Sequence, residues 1–291
     1  MDWLTETRVP IGPWSKAAVT WMTTHGGWFF DAVSNGLSAI IDGILWCLQS
    51  PHPLVSVAVF TAFVWWYRRS YGVTAFTVLG LLLIINLGYW KETTETLALV
   101  LAATAVCMAI GIPVGIAAAR REWLYAVLRP ILDLMQTIPT FVYLIPALIL
   151  FGLGMVPGLI ATVIFAVPAP IRLTRLGIIS TPGALKEAAL AFGATPWQVL
   201  RKVELPYATP QIMAGLTQTI MLSLSMVVIA ALVGANGLGV PVVRALNTVN
   251  IAKGFEAGLC IVILAIILDR MLRVPGHPPP KRALSFWKER L

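Results

Sequence analysis

Charge is what this sequence lacks. Of its 291 residues, 12% are charged and 58% are hydrophobic, whereas a soluble globular chain carries about 25% charged residues. A soluble domain is excluded, and an integral membrane protein is expected. Acidic residues are scarcer than basic ones, 13 against 21, and hardly any falls inside an apolar run. Asp133 and Asp269 stand at run ends, and Glu95 and Glu256 lie near run starts. A carrier driven by an ion gradient keeps an ionisable group near the bilayer midplane, and none is evident. The three cysteines, Cys47, Cys107 and Cys260, are too few and too scattered for a disulfide framework or a metal site. None of the seven lysines follows a glycine, which excludes a P-loop. His25, His52 and His277 are each followed by Gly or Pro, which excludes an HExxH metal helix. With no nucleophile–base or metal constellation, the chain is not expected to be an enzyme or to bind a cofactor or metal itself. The N-terminus lacks a basic stretch followed by an apolar core, so no cleavable signal peptide is expected.

What is present is membrane composition. Mean hydropathy is +0.83, with 11 tryptophans and 20 prolines, the content of interfacial belts and broken membrane helices. Residues 1–52 read as a tail carrying an amphipathic helix at 28–48. There Phe29, Phe30, Val33, Leu37, Ile40, Ile41, Ile44 and Leu48 keep helical spacing, and Asp31, Asn35, Ser38 and Asp42 take another face. That pattern suits a helix lying in the membrane interface and contacting lipid, the alternative being a first span interrupted by two aspartates, with a Gly26-Gly27 break before it. Two peripheral spans are expected in 53–93, at about 54–67 and 71–90. A membrane core follows at 94–272, with spans near 94–118, 136–153, 157–178, 209–233 and 254–272, making about seven in all. A basic loop is expected at 119–134, and a further loop at 234–252. Residues 273–291 form a basic, proline-rich tail. In the first core span, Gly111 and Gly115 form a GxxxG of small residues that permits close packing against an unspecified neighbour.

Basic residues fix the expected orientation. If the interruption at 180–206 is cytoplasmic, sixteen Lys and Arg fall inside and five outside, together the 21 present. That asymmetry follows the positive-inside rule and places the N-terminus outside and the C-terminus inside. The formal charge of +8 is therefore a topological signal and not a nucleic-acid surface. Polar residues inside the spans include Gln136, Thr137, Gln218, Thr219, Ser223 and Ser225. They serve either interhelical hydrogen bonding or a translocation path. Gln136, Thr137, Gln218, Ser225 and Met226 are the candidates for the path.

The interruption itself, STPGALKEAALAFGATPWQVLRKVELP, reads as two short helices. Thr181-Pro182 predicts an N-cap and first helical residue, and Gly193 a left-handed stop. Thr195 and Gln198 predict a capping box, and Leu205-Pro206 predicts the end of the second helix. Glu187-Ala188-Ala189, Gly193 and Val203-x-Leu205-Pro206 keep the spacing of the EAA signature. The chain thus resembles permease subunits of ABC importers, with valine in place of the signature's isoleucine. The resemblance implies an all-α type I permease fold whose cytoplasmic coupling helix seats on a separate ATPase. ATP and Mg would be bound by that ATPase. Glu187 is the expected polar contact.

A second set of residues narrows the family. Leu134-Met135-Gln136-Thr137-Ile138-Pro139, the following Phe141 to Pro146, and Leu224 to Ala230 look like permeases of glycine betaine, proline betaine and choline importers. The resemblance covers roughly 94–272. It implies a homodimer in the bacterial inner membrane, two ATPase subunits, and a separate periplasmic substrate-binding protein, because no binding domain is fused at the C-terminus. The spans do not separate choline from betaine. Another solute, such as an amino acid, a sulfonate or a different osmolyte, stays open. A channel would need no such docking element, and a scaffold that only anchors partners would show no substrate-dependent ATP turnover.

Overall fold

The computed structural model describes residues 10–272, and among them all regular structure is helical. In order these are α1 (Ile11–Gln49), α2 (Pro53–Arg68), α3 (Tyr71–Asn86), α4 (Trp90–Arg120), α5 (Glu122–Thr137), α6 (Thr140–Phe151), α7 (Met155–Ala166) and α8 (Pro168–Ile179). Then come α9 (Gly183–Ala191), α10 (Pro196–Val199), a π-helical turn (Leu200–Glu204), α11 (Leu205–Ala231), α12 (Gly239–Asn247) and α13 (Ile251–Leu272).

Among the described residues four helices are long and apolar enough to cross a membrane: α4, the joined α7–α8, α10–α11 through the π turn, and α13. Two bent pairs raise the number to six, α1–α2 at 101° and α5–α6 at 95°. The expected seven is reduced because α3, with 16 residues, falls short of the ~20 that a bilayer requires. The centre is built by α4, α8 and α11, with α7 and α13 against them. Close approach explains this packing. A Cβ on Gly111 would lie 2.7 Å from Pro170, and one on Gly115 2.7 Å from the Thr174 Cβ. The GxxxG face of α4 is therefore the seat of α8, which any larger residue would push away.

Several local expectations change. Gly26-Gly27 does not interrupt α1, since each glycine costs a helix only about 1 kcal/mol. Residues 28–48 are the second half of that helix, and Ile41, Leu37, Ile44 and Leu45 pack on α4 and α7. The expected basic loop at 119–134 is mostly α5, whose charged residues occupy one face of an amphipathic helix. The expected span 136–153 is divided at Ile138-Pro139. Ile138 is extended (φ −66°, ψ 131°), as a residue before proline prefers to be. The Met135 carbonyl, which Pro139 cannot serve because it lacks an N–H, is taken up by Tyr143, whose hydroxyl donates to Met135 O at 2.8 Å. The expected loop at 234–252 contains α12.

Candidate functional site

The 180–206 segment folds as a helix–turn–helix on one end of the core. Gly193 takes φ +79°, the left-handed turn foreseen from sequence, and no atom would obstruct a Cβ there. The constraint at Gly193 is therefore backbone conformation and not space. The capping box is present: Thr195 N–H donates to Gln198 Oε1 at 2.8 Å, and Gln198 N–H to Thr195 Oγ1. Two expectations fail. The Thr181 hydroxyl is buried with no partner, and Pro182 is the residue that precedes α9. Leu205-Pro206 does not end the second helix either. Leu205 is helical (φ −64°, ψ −45°), and Pro206 lies in the first turn of α11.

The π turn is what reconciles proline with a continuous helix. Leu205 N–H bonds to Leu200 O, one residue further back than in an α-helix. A proline in a regular helix clashes with the carbonyl four residues earlier. Widening the preceding turn relieves that contact. The 180–206 segment is thus joined to α11 without a hinge loop.

Its two faces differ. Val199 and Leu200 are buried, and Leu200 packs with Ile178, Ala208, Ile116 and Leu205 against the ends of α4 and α8. On the other face Glu187, Ala188, Leu190, Trp197 and Pro206 are exposed, and Phe192 is 93% exposed. Ala189 and Val203 are half-buried between the faces. Glu187, Ala188, Gly193 and Pro206 of the EAA-type pattern are thus exposed, and the element's exposed residues also include the basic Arg201 and Lys202.

Sequence reasoning missed the residue that ties this element down. Glu204 is only 4% exposed. It pairs with Arg120 Nη2 at the end of α4, at 2.5 Å, and with Lys186 Nζ on α9, at 3.3 Å. The Arg120–Glu204 pair is also a hydrogen bond linking residues 84 positions apart. Glu204 was visible only as the unassigned position between Val203 and Leu205. Its one sequence signal was a lone acid just after the basic pair Arg201-Lys202, at the entry to an apolar span.

The path candidates are divided. Gln218 and Ser225 lie on an exposed stripe of α11 with Ala214 and Met221, at the 4, 3, 4 spacing of one helix face. Met226 points away from it, 1% exposed among Leu144, Ala161 and Val233. Met221 is the methionine on the stripe. Gln136 and Thr137 sit at the α5–α6 bend, where Gln136 Oε1 accepts from Arg172 Nη1 at 3.1 Å. Arg172 also pairs with Asp133 at 2.6 Å, and the Arg175 guanidinium lies 3.6 Å from the Tyr125 ring centroid. Together these contacts hold α5 to α8. Among the described residues no cluster of His, Cys, Asp or Glu could hold a metal ion.

A bundle of membrane-crossing helices that presents one helix–turn–helix at its end is the arrangement of a permease subunit in a binding-protein-dependent importer. Residues 111–274 match the family described as binding-protein-dependent transport system inner membrane component, and the chain belongs to that family. It is 48% identical to the glycine betaine transport system permease protein OpuAB of Bacillus subtilis, over 91% of this chain and 93% of that one. It is 42% identical to the glycine betaine/proline betaine permease protein ProW of Escherichia coli, over 99% of this chain and 81% of that one. Among solved structures it is similar to the inward-facing MetNI methionine ABC transporter, with TM-score 0.57 and 26% identity, over 63% of this chain and 94% of that one. The protein is a multi-pass inner-membrane transport subunit, and ATPase and substrate-binding partners go with the family.

Proposed function

We propose that this chain forms the translocation path of an ATP-driven importer for glycine betaine-type quaternary ammonium compounds, choline included. The observation that carries the mechanism is the outward face of the 180–206 element, anchored beneath by Glu204 to α4. A cytoplasmic ATPase, holding ATP and Mg, would seat on Glu187 to Pro206, with Glu187 as the polar contact. Closure of the ATPase pair would then move a rigid body. Leu200 packing, the π turn and the Glu204 ion pairs leave no slack between the docking helices and α4 and α11. The substrate class rests on the relatives' names, OpuAB and ProW above all.

In this reading two copies of the chain face each other. The stripe Gln218, Met221 and Ser225 lies on the path, and Gln136 and Thr137 mark the bend beside it. The N-terminus is outside, the C-terminus inside, and lipid covers the remaining apolar surface. A periplasmic binding protein delivers the solute to the outer end. The test is uptake of radiolabelled glycine betaine and choline by liposomes holding the permease and its ATPase, with the binding protein inside the assay. ATP-dependent uptake of either is expected. ATP turnover that never responds to the loaded binding protein would overturn the docking reading.

A further inference from the structure

The 31 residues of α4 span about 46 Å at 1.5 Å per residue. Arg120 at one end holds Glu204, so the Trp90 end lies on the opposite side of the membrane from the docking element. At that end is a cavity of about 560 Å³ between α4, α12 and the start of α13. Its size falls within the roughly 300–1,000 Å³ of small-molecule sites. Tyr89, Lys91, Glu92, Glu95, Arg244 and Lys253 line it.

The wall is built and not incidental. The segment before α12 is clipped to α4 by Leu238 N–H, which donates to Thr96 Oγ1 at 2.8 Å, while Thr96 donates to Glu92 O at 2.8 Å. Gly237 makes this approach possible: at φ +125°, a Cβ there would lie 2.6 Å from Thr96 Oγ1. Five charged side chains of both signs line the chamber, yet none of them is in an ion pair among the described residues. Glu95 is only 8% exposed, and Glu92 Oε2 is buried with no hydrogen-bond partner. A buried carboxylate oxygen without a partner, as at Glu92, is costly, and charges at membrane-helix ends facing a cavity mark ligand pathways. Burial, and next the Glu256 carboxylate, raise the Tyr89 phenol above its usual range. It therefore offers a neutral aromatic ring.

A simple cation would not need Lys91, Arg244 and Lys253, and a simple anion would meet Glu92 and Glu95. A molecule carrying both signs satisfies both sets. We propose that this chamber is a transfer subsite for a small zwitterion, its quaternary ammonium toward Glu92, Glu95 and Tyr89 and its carboxylate toward Lys91, Arg244 and Lys253. The proposal rests on the importer reading above.

Two measurements test it. In liposomes with saturating loaded binding protein, the Glu92→Gln/Glu95→Gln double variant and Arg244→Gln should each lower glycine betaine transported per ATP about tenfold. The binding-protein concentration for half-maximal ATP turnover should not move. Separately, wild-type permease–ATPase complex in nanodiscs, without binding protein, should bind radiolabelled glycine betaine by scintillation proximity, and both variants should lose that signal. No binding by wild type at tens of millimolar overturns the subsite regardless of how the variants fold. Unchanged transport per ATP in the variants overturns it too. So does a raised half-maximal binding-protein concentration at full maximal rate, which would make the chamber a protein-docking seat. Wild-type complex that imports no betaine overturns the importer substrate reading, and the subsite with it; wild-type import with unaffected variants overturns the subsite alone.

Discussion

At the scale of the residue, Glu204 matters more to the proposed docking element than any member of the EAA-type pattern. Its carboxylate is shielded from water, while Arg120 and Lys186 keep side-chain exposures of 39% and 30%. Two half-solvated cations can recover hydration when the acid is removed. The loss should thus stay below the roughly 3–5 kcal/mol of a fully buried broken pair, at about 1–2 kcal/mol. Glu204→Gln is expected to lower the thermal unfolding midpoint of the purified permease and to raise ATP consumed per solute transported. Glu204→Asp, which keeps the charge, should recover part of both. An unchanged coupling ratio in Glu204→Gln would remove the residue from the mechanical link. Nothing in the sequence marked this pairing, because the three residues lie far apart along the chain and meet only through packing.

At the scale of the element, local chemistry was legible where it is local. The Gly193 turn and the Thr195–Gln198 box follow from residues within a few positions, and both are present. The exit at Leu205-Pro206 was misread because the preference of a pre-proline residue is weaker than the cost of breaking a helix that is anchored at both ends. The π turn resolves that conflict. Pro206→Ala restores an N–H able to bond to Lys202 O in a regular α-helical ladder, competing with the widened turn. The variant should insert and fold as well as wild type but rotate α9–α10 relative to α11, and so transport less solute per ATP. Equal transport per ATP in reconstituted liposomes would show that the π turn carries no coupling. The α5–α6 bend was missed for a related reason: hydropathy runs straight through Pro139, and only backbone geometry reveals a 95° turn.

For the whole molecule, the exposed α11 stripe is the surface with the plainest consequence. Gln218 on a lipid-facing surface would place an amide in hydrocarbon, which is unfavourable, so a partner copy or a water-filled path should cover it. In the homodimer proposed above, Ser225→Cys in a Cys47→Ser background should form a cross-link between two copies on mild oxidation. Cys107 and Cys260 are buried and should not interfere. Absence of a dimer band in native membranes, with the ATPase present, would move the dimer axis elsewhere.

The sequence by itself determined the class of the protein. Low charge and long apolar runs require a membrane, the absence of lysine after glycine removes a P-loop, and the EAA-type spacing marks the 180–206 element proposed for docking. These properties are carried by composition or by neighbours along the chain. Only tertiary structure decided which face of α4 seats α8, that Glu204 joins Arg120 to Lys186, and that charges of both signs gather in one chamber beside Gly237. Those arrangements depend on helices distant in sequence being pressed together, and no single stretch of residues encodes that distance.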